Sequence, residues 1–130
     1  MKLSTFFAIT GALAIFFGAF FLALPETALR QYAVPTEPHN LMQARYFGGT
    51  LLQVGLVVWL ARMTQDAVST RALLIGVAMG NGIGVAIGVW AGMAGLQNAM
   101  VWGSVLLYGL VLVGCVYFLI FRHERTPAVA

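Results

Sequence analysis

The chain is poor in charge. Of its 130 residues only 8% are Asp, Glu, Lys or Arg, against about 25% in a soluble globular domain. With 61% hydrophobic residues and a mean hydropathy of +0.91, a soluble fold of this length would leave too much apolar surface in water. That excludes a soluble enzyme, a nucleic-acid-binding domain and a disordered tail. There is one cysteine, Cys115, set in an apolar stretch. No internal disulfide, CxxC redox pair or cysteine-held cluster can form from it, and it reads as a packing residue. Neither histidine and none of the four carboxylates falls inside a long apolar run. The first absence argues against haem or chlorophyll ligation. The second argues against a proton-coupled exporter, which needs an intramembrane acid. No metal-ligand cluster, phosphate loop or nucleophile–base pair is visible. No cofactor, metal or catalytic residue is therefore expected, and the chain reads as a non-enzyme.

What the sequence does hold is long apolar runs. A membrane-spanning helix needs about 20 mostly apolar residues. Four segments qualify, at about 3–24, 41–61, 72–94 and 100–121. The first is too long for a signal-peptide core of about 7–15 residues and lacks a clear cleavage site, so it reads as a retained helix ending at Pro25. The seven cations give a net charge of +3 but no basic run. They sit at the edges of the apolar segments, as the positive-inside rule requires. Lys2, Arg62, Arg71, Arg122 and Arg125 fall on one side, Arg30 and Arg45 on the other. Five against two predicts both termini in the cytoplasm. Short connections make sequential helices antiparallel neighbours. The expectation is one all-α domain: a four-helix transmembrane bundle of two antiparallel hairpins, with no nucleic-acid partner.

The third segment carries Gly76, Gly80, Gly84, Gly88 and Gly92 at four-residue spacing. Such a stripe lets another helix approach closely, within this bundle or in a homo-oligomer or other membrane partner. The second segment carries the polar residues. Arg45, Gly49 and Gln53 share one helix face, and intramembrane charge marks a functional candidate, with snorkelling to the interface as the plainer account. Gln53 and Asn81 fall at similar depth, about 12–13 Å from the inner surface, so a hydrogen bond between them is expected. Arg45 needs a counter-charge, and Glu26 and Glu37 are the acids on its side. These residues suggest an outer-face vestibule of Arg45, Tyr46, Tyr32, His39 and one glutamate, binding an anionic head group or small amphiphile. Trp59, Trp90 and Trp102 lie near segment ends, as interfacial belts require.

Pro35-Thr36, then Ala44-Arg45-Tyr46-Phe47-Gly48-Gly49 and Gly55, resemble a family of uncharacterised four-helix bacterial membrane proteins, loosely similar to DoxX-like proteins. The resemblance would cover most of the chain. It implies a four-helix bundle in the inner membrane and supplies no reaction. Arg45, Gly48 and Gly49 are the motif positions that transfer, the glycines as helix-packing sites. Two functions follow as expectations. One is a non-enzymatic module that binds membrane lipid or an amphiphile at Arg45, or scaffolds a partner. The other is a small oligomeric transporter or channel using the polar line Arg45–Gln53–Asn81.

Overall fold

Pro25 and Pro38 begin helices as well as ending what precedes them. Proline lacks the N–H that would continue a helix, yet its fixed φ suits the first helical position. In the computed structural model, which describes residues 2–64 and 66–121, helix α1 runs Leu3–Ala23 and Pro25 opens a short helix, α2, Pro25–Gln31. It lies between the first two apolar segments, where hydropathy marks no helix. The signals for α2 were local: proline at the first position, Glu26 in the first turn, Arg30 in the last, each favoured by the helix dipole. Pro38 opens α3, Pro38–Ala61, three residues before the expected Leu41. Helix α4 runs Ala67–Met93 and α5 Met100–Phe121. Asp66 caps α4 by accepting the Ser69 N–H at 2.7 Å, so α4 begins five residues earlier than Ala72 and takes in Arg71.

These five helices are the regular structure of the described residues, which contain no strand. Four of them, α1, α3, α4 and α5, are long and apolar enough to cross a membrane. Large apolar side chains such as Phe16, Ile83 and Leu110 stand about 60% exposed on the outside, a surface that lipid tolerates and water does not.

The long helices pack as two pairs, α1 with α3 and α4 with α5. The first pair meets backbone to backbone. A Cβ on Gly11 would lie 2.6 Å from the Trp59 nitrogen, and one on Gly18 2.5 Å from that of Leu52. Gly48 and Gly55 on α3 answer them, at 2.6 Å from Leu22 N and 2.7 Å from Ile15 N. Residue numbers fall along α3 as they rise along α1. Each helix repeats its glycine after seven residues, the spacing that keeps one face on a partner over two turns.

The second pair meets differently. Gly84, Gly88 and Gly92 receive the side chains of Tyr108, Val105 and Trp102 from α5. Gly76, Gly80 and Gly49 have nothing within 4 Å of a built Cβ. Of the expected packing glycines, Gly48, Gly84, Gly88 and Gly92 therefore meet another helix of this chain, and Gly49, Gly76 and Gly80 do not. Three of the five α4 stripe glycines face α5, and Gly48 packs where Gly49 does not.

The pairs join at their two ends. Leu3, Phe6, Phe7, Val58, Leu74, Cys115 and Phe118 form one buried cluster drawn from all four long helices. At the opposite end the Tyr32 and Ser104 hydroxyls hydrogen-bond at 2.8 Å. There Asn98 Nδ2 also donates to the Gln31 carbonyl at 2.7 Å, while Asn98 Oδ1 accepts the Met100 N–H at 3.0 Å. Asn98 thus caps α5 and ties it to the end of α2.

Candidate functional site

The close seam with α1 fixes which way α3 faces. Gly48 and Gly55 must point at α1, and at about 100° per residue Gln53 then lies about 140° round the helix from Gly48. Gln53 is therefore turned outward, while Gly49 and Arg45, about 100° and 60° from Gly48, face out beside α1. Arg45 lies seven residues beyond Pro38, about 10 Å along the helix. It lines a shallow open groove of ≈ 510 Å³ with Leu22, Met42, Tyr46, Gly49, Thr50 and Gln53. Gly49 forms the floor because no side chain stands there. Tyr46 is 67% exposed beside it. Thr50 turns its hydroxyl inward, donating to the Tyr46 carbonyl at 3.0 Å.

The expected vestibule does not assemble around Arg45. Glu26 pairs with Arg30 one turn along α2. Glu37 sits 3.4 Å from His39 Nε2, an ion pair when the imidazole is protonated. Tyr32 turns to Ser104 on α5. The cause is local: the segment folds into α2, whose own i,i+4 pairing takes up Glu26, and the end of α2 carries Tyr32 across to α5. Among the described residues no carboxylate pairs with Arg45.

The Gln53–Asn81 hydrogen bond does not form either. Asn81 Nδ2 donates to the Val77 carbonyl of its own helix at 2.8 Å. Gln53 is exposed in the outward groove and makes no hydrogen bond among the described residues. Asn81 bonds within α4 while Gln53 faces the outer groove, so the line Arg45–Gln53–Asn81 is not continuous.

Leu22, Met42 and Thr50 belong to the groove although the sequence reading gave them no binding role. Positions 42, 46, 49, 50 and 53 share a helix face, so that periodicity held the signal for the α3 residues. Leu22 comes from α1 and had no such signal. Among the described residues no group of three His, Cys, Asp or Glu is placed to hold a metal ion. Trp90 and Trp102 stand 64% and 47% exposed at the end of the molecule that holds α2. Trp59 lies at the other end under the Arg62 guanidinium, 4.1 Å from its ring centre.

The chain matches no protein-family model, no curated protein and no solved structure. The resemblance noted for Pro35-Thr36, Ala44-Arg45-Tyr46-Phe47-Gly48-Gly49 and Gly55 rests on the sequence alone.

Proposed function

We propose that this is a multi-pass membrane protein of a bacterial inner membrane, without enzymatic activity, that binds the phosphate of an anionic lipid or amphiphile at Arg45. The observation that carries the reading is a cation on the outward face of α3 with no carboxylate partner among the described residues. At 24 residues α3 is about 36 Å long, about 6 Å more than the hydrocarbon thickness. Side chains on a helix lean toward its N-terminus, so the Arg45 guanidinium extends toward the membrane surface, where lipid phosphates lie. An unpaired cation in that zone takes an anion, and phosphate is the anion lipid supplies. Tyr46 adds a hydroxyl donor on the same face.

The arrangement goes with a four-helix bundle of two antiparallel hairpins, a member of the family it resembles. The falling residue register along α3 supports the first hairpin, and the five-to-two cation bias supports both termini in the cytoplasm.

Native mass spectrometry from mild detergent, with phosphatidylglycerol and phosphatidylcholine in competition, tests the site. A charge-assisted contact is worth about 1.5–3 kcal/mol, so Arg45→Gln lowers retention of the anionic lipid about tenfold or more, while Arg45→Lys keeps part of it. Equal retention of both lipids by the native chain, or no effect of Arg45→Gln, would sink the reading.

A further inference from the structure

A glutamine amide at mid-membrane depth, facing outward and unbonded, needs explaining. Gln53 lies eight residues before Ala61, about 12 Å from that end of α3, with Val54, Leu56 and Val57 exposed next to it. Hydrocarbon offers its amide no partner, and an unmet amide there is costly.

The residues around it form a pattern. Met42, Tyr46, Gly49, Gln53, Leu56 and Leu60 follow one another at spacings of four, three, four, three and four. That is the heptad seam of a left-handed helix pair, in which a single polar core residue sets register and partner number. The seam lies on the side of α3 away from the Gly48 and Gly55 contact with α1. Met42, Tyr46, Leu56 and Leu60 are 47–67% exposed, and Gly49 has open space above it.

We infer that this seam pairs with the same seam on a second copy of the chain, Gln53 against Gln53. A copy inserted in the same sense carries its amide at the same depth by construction, which a chain of another sequence does not. The complementarity is electrostatic. Each amide presents a positive N–H edge and a negative carbonyl edge, so a two-fold axis lets each give one hydrogen bond and accept one. Gly49 lets the helices come close one turn above. Arg45 stands at the edge of the seam, about 40° round from Gly49 and about 80° from Gln53 at about 100° per residue. Its charge extends toward the surface; Tyr46 lines both the lipid site and the seam, so Arg45 is the residue at which the two readings can be told apart. The inference rests on α3 crossing the membrane, not on lipid binding at Arg45.

The test is single-molecule photobleaching of the labelled full chain in lipid vesicles across a range of protein-to-lipid ratios. The native chain passes from one to two copies as lipid is diluted out. Interhelical side-chain hydrogen bonds in membranes average about 0.6 kcal/mol, so removing two weakens pairing roughly five- to tenfold in Gln53→Leu. Gln53→Asn retains pairing in part. Gly49→Leu weakens it by crowding the seam. Arg45→Gln pairs like the native chain even where it has lost lipid, which separates the two readings. A chain that stays single at the highest protein density, or a Gln53→Leu variant that pairs as tightly as native, overturns the inference. A larger particle whose formation ignores Gln53 and Gly49 overturns it as well.

Discussion

Ala33 and Gly95 occupy the same place in two different helix ends. Each follows a helix in the left-handed region, at φ 56° and 67°. Each is closed by the same two backbone bonds: Ala33 N–H to Arg30 and Val34 N–H to Leu29, Gly95 N–H to Gly92 and Leu96 N–H to Ala91. This turn suits glycine, whereas an L-residue held there is strained by about 1–2 kcal/mol. Ala33→Gly should therefore leave stability unchanged or raise it by up to about 1 kcal/mol, because the relief is offset by greater unfolded-chain freedom. Gly95→Ala should lower it by about 1 kcal/mol. Thermal unfolding in detergent compares the two. Asp66 gives a second residue-scale prediction. Its carboxyl is held below the ordinary value of 3.8 by hydrogen bonds from the Ser69 side chain and then the Ser69 backbone N–H. A lowered acid lends stability that is complete above its ordinary value and is lost as pH falls through the lowered one. The Ser69 amide resonance should hold its capped position from neutral pH down past 3.8 and move only below it; Asp66→Ala should show the uncapped position throughout. At this scale the shared face of Arg45, Gly49 and Gln53 was legible from spacing. The partners of Glu26, Glu37 and Tyr32 were not, because they depend on how a connecting segment folds.

Among the elements, the glycines divide between two kinds of helix contact. The five glycines of α4 at intervals of four are conspicuous, yet α5 answers them with bulky side chains and leaves Gly76 and Gly80 open. The backbone contacts belong to Gly11, Gly18, Gly48 and Gly55, two pairs at intervals of seven on separate helices. Seven-residue spacing was readable in each helix, but only the pairing of α1 with α3 reveals that the two sets meet. The four long helices themselves were legible from length and hydropathy, with α3 and α4 starting earlier than expected because Pro38 and Asp66 are helix starters. The neighbouring motif glycines make a sharp comparison. Gly48→Ala drives a Cβ into the Leu22 backbone and should cost about 1–3 kcal/mol, as overpacking does. Gly49→Ala and Gly80→Ala meet open space and should be neutral or favourable by up to about 1 kcal/mol, since alanine is the better helix former. Reversible unfolding of the three variants in mixed detergent micelles measures this.

The molecule as a whole is closed most firmly where Cys115 lies, fully buried at 0% exposure in the cluster that joins all four long helices. A membrane-permeant maleimide should leave Cys115 unmodified in vesicles, because burial denies it access. Gly114, its neighbour, leaves room for the Phe6 ring. Gly114→Ala should displace that ring, part the cluster and speed labelling severalfold; an unchanged rate would place the barrier elsewhere. The two ends of the joint differ in chemistry, apolar packing at one and a few hydrogen bonds around α2 at the other, so opening should start at the α2 end. The tight fit of α1 on α3 also has a consequence for biosynthesis. Every residue of that seam precedes Arg62, so a nascent chain that has emerged no further already holds its most intimate helix contact. The first half can settle in the bilayer as a finished unit, against which the second half is later laid.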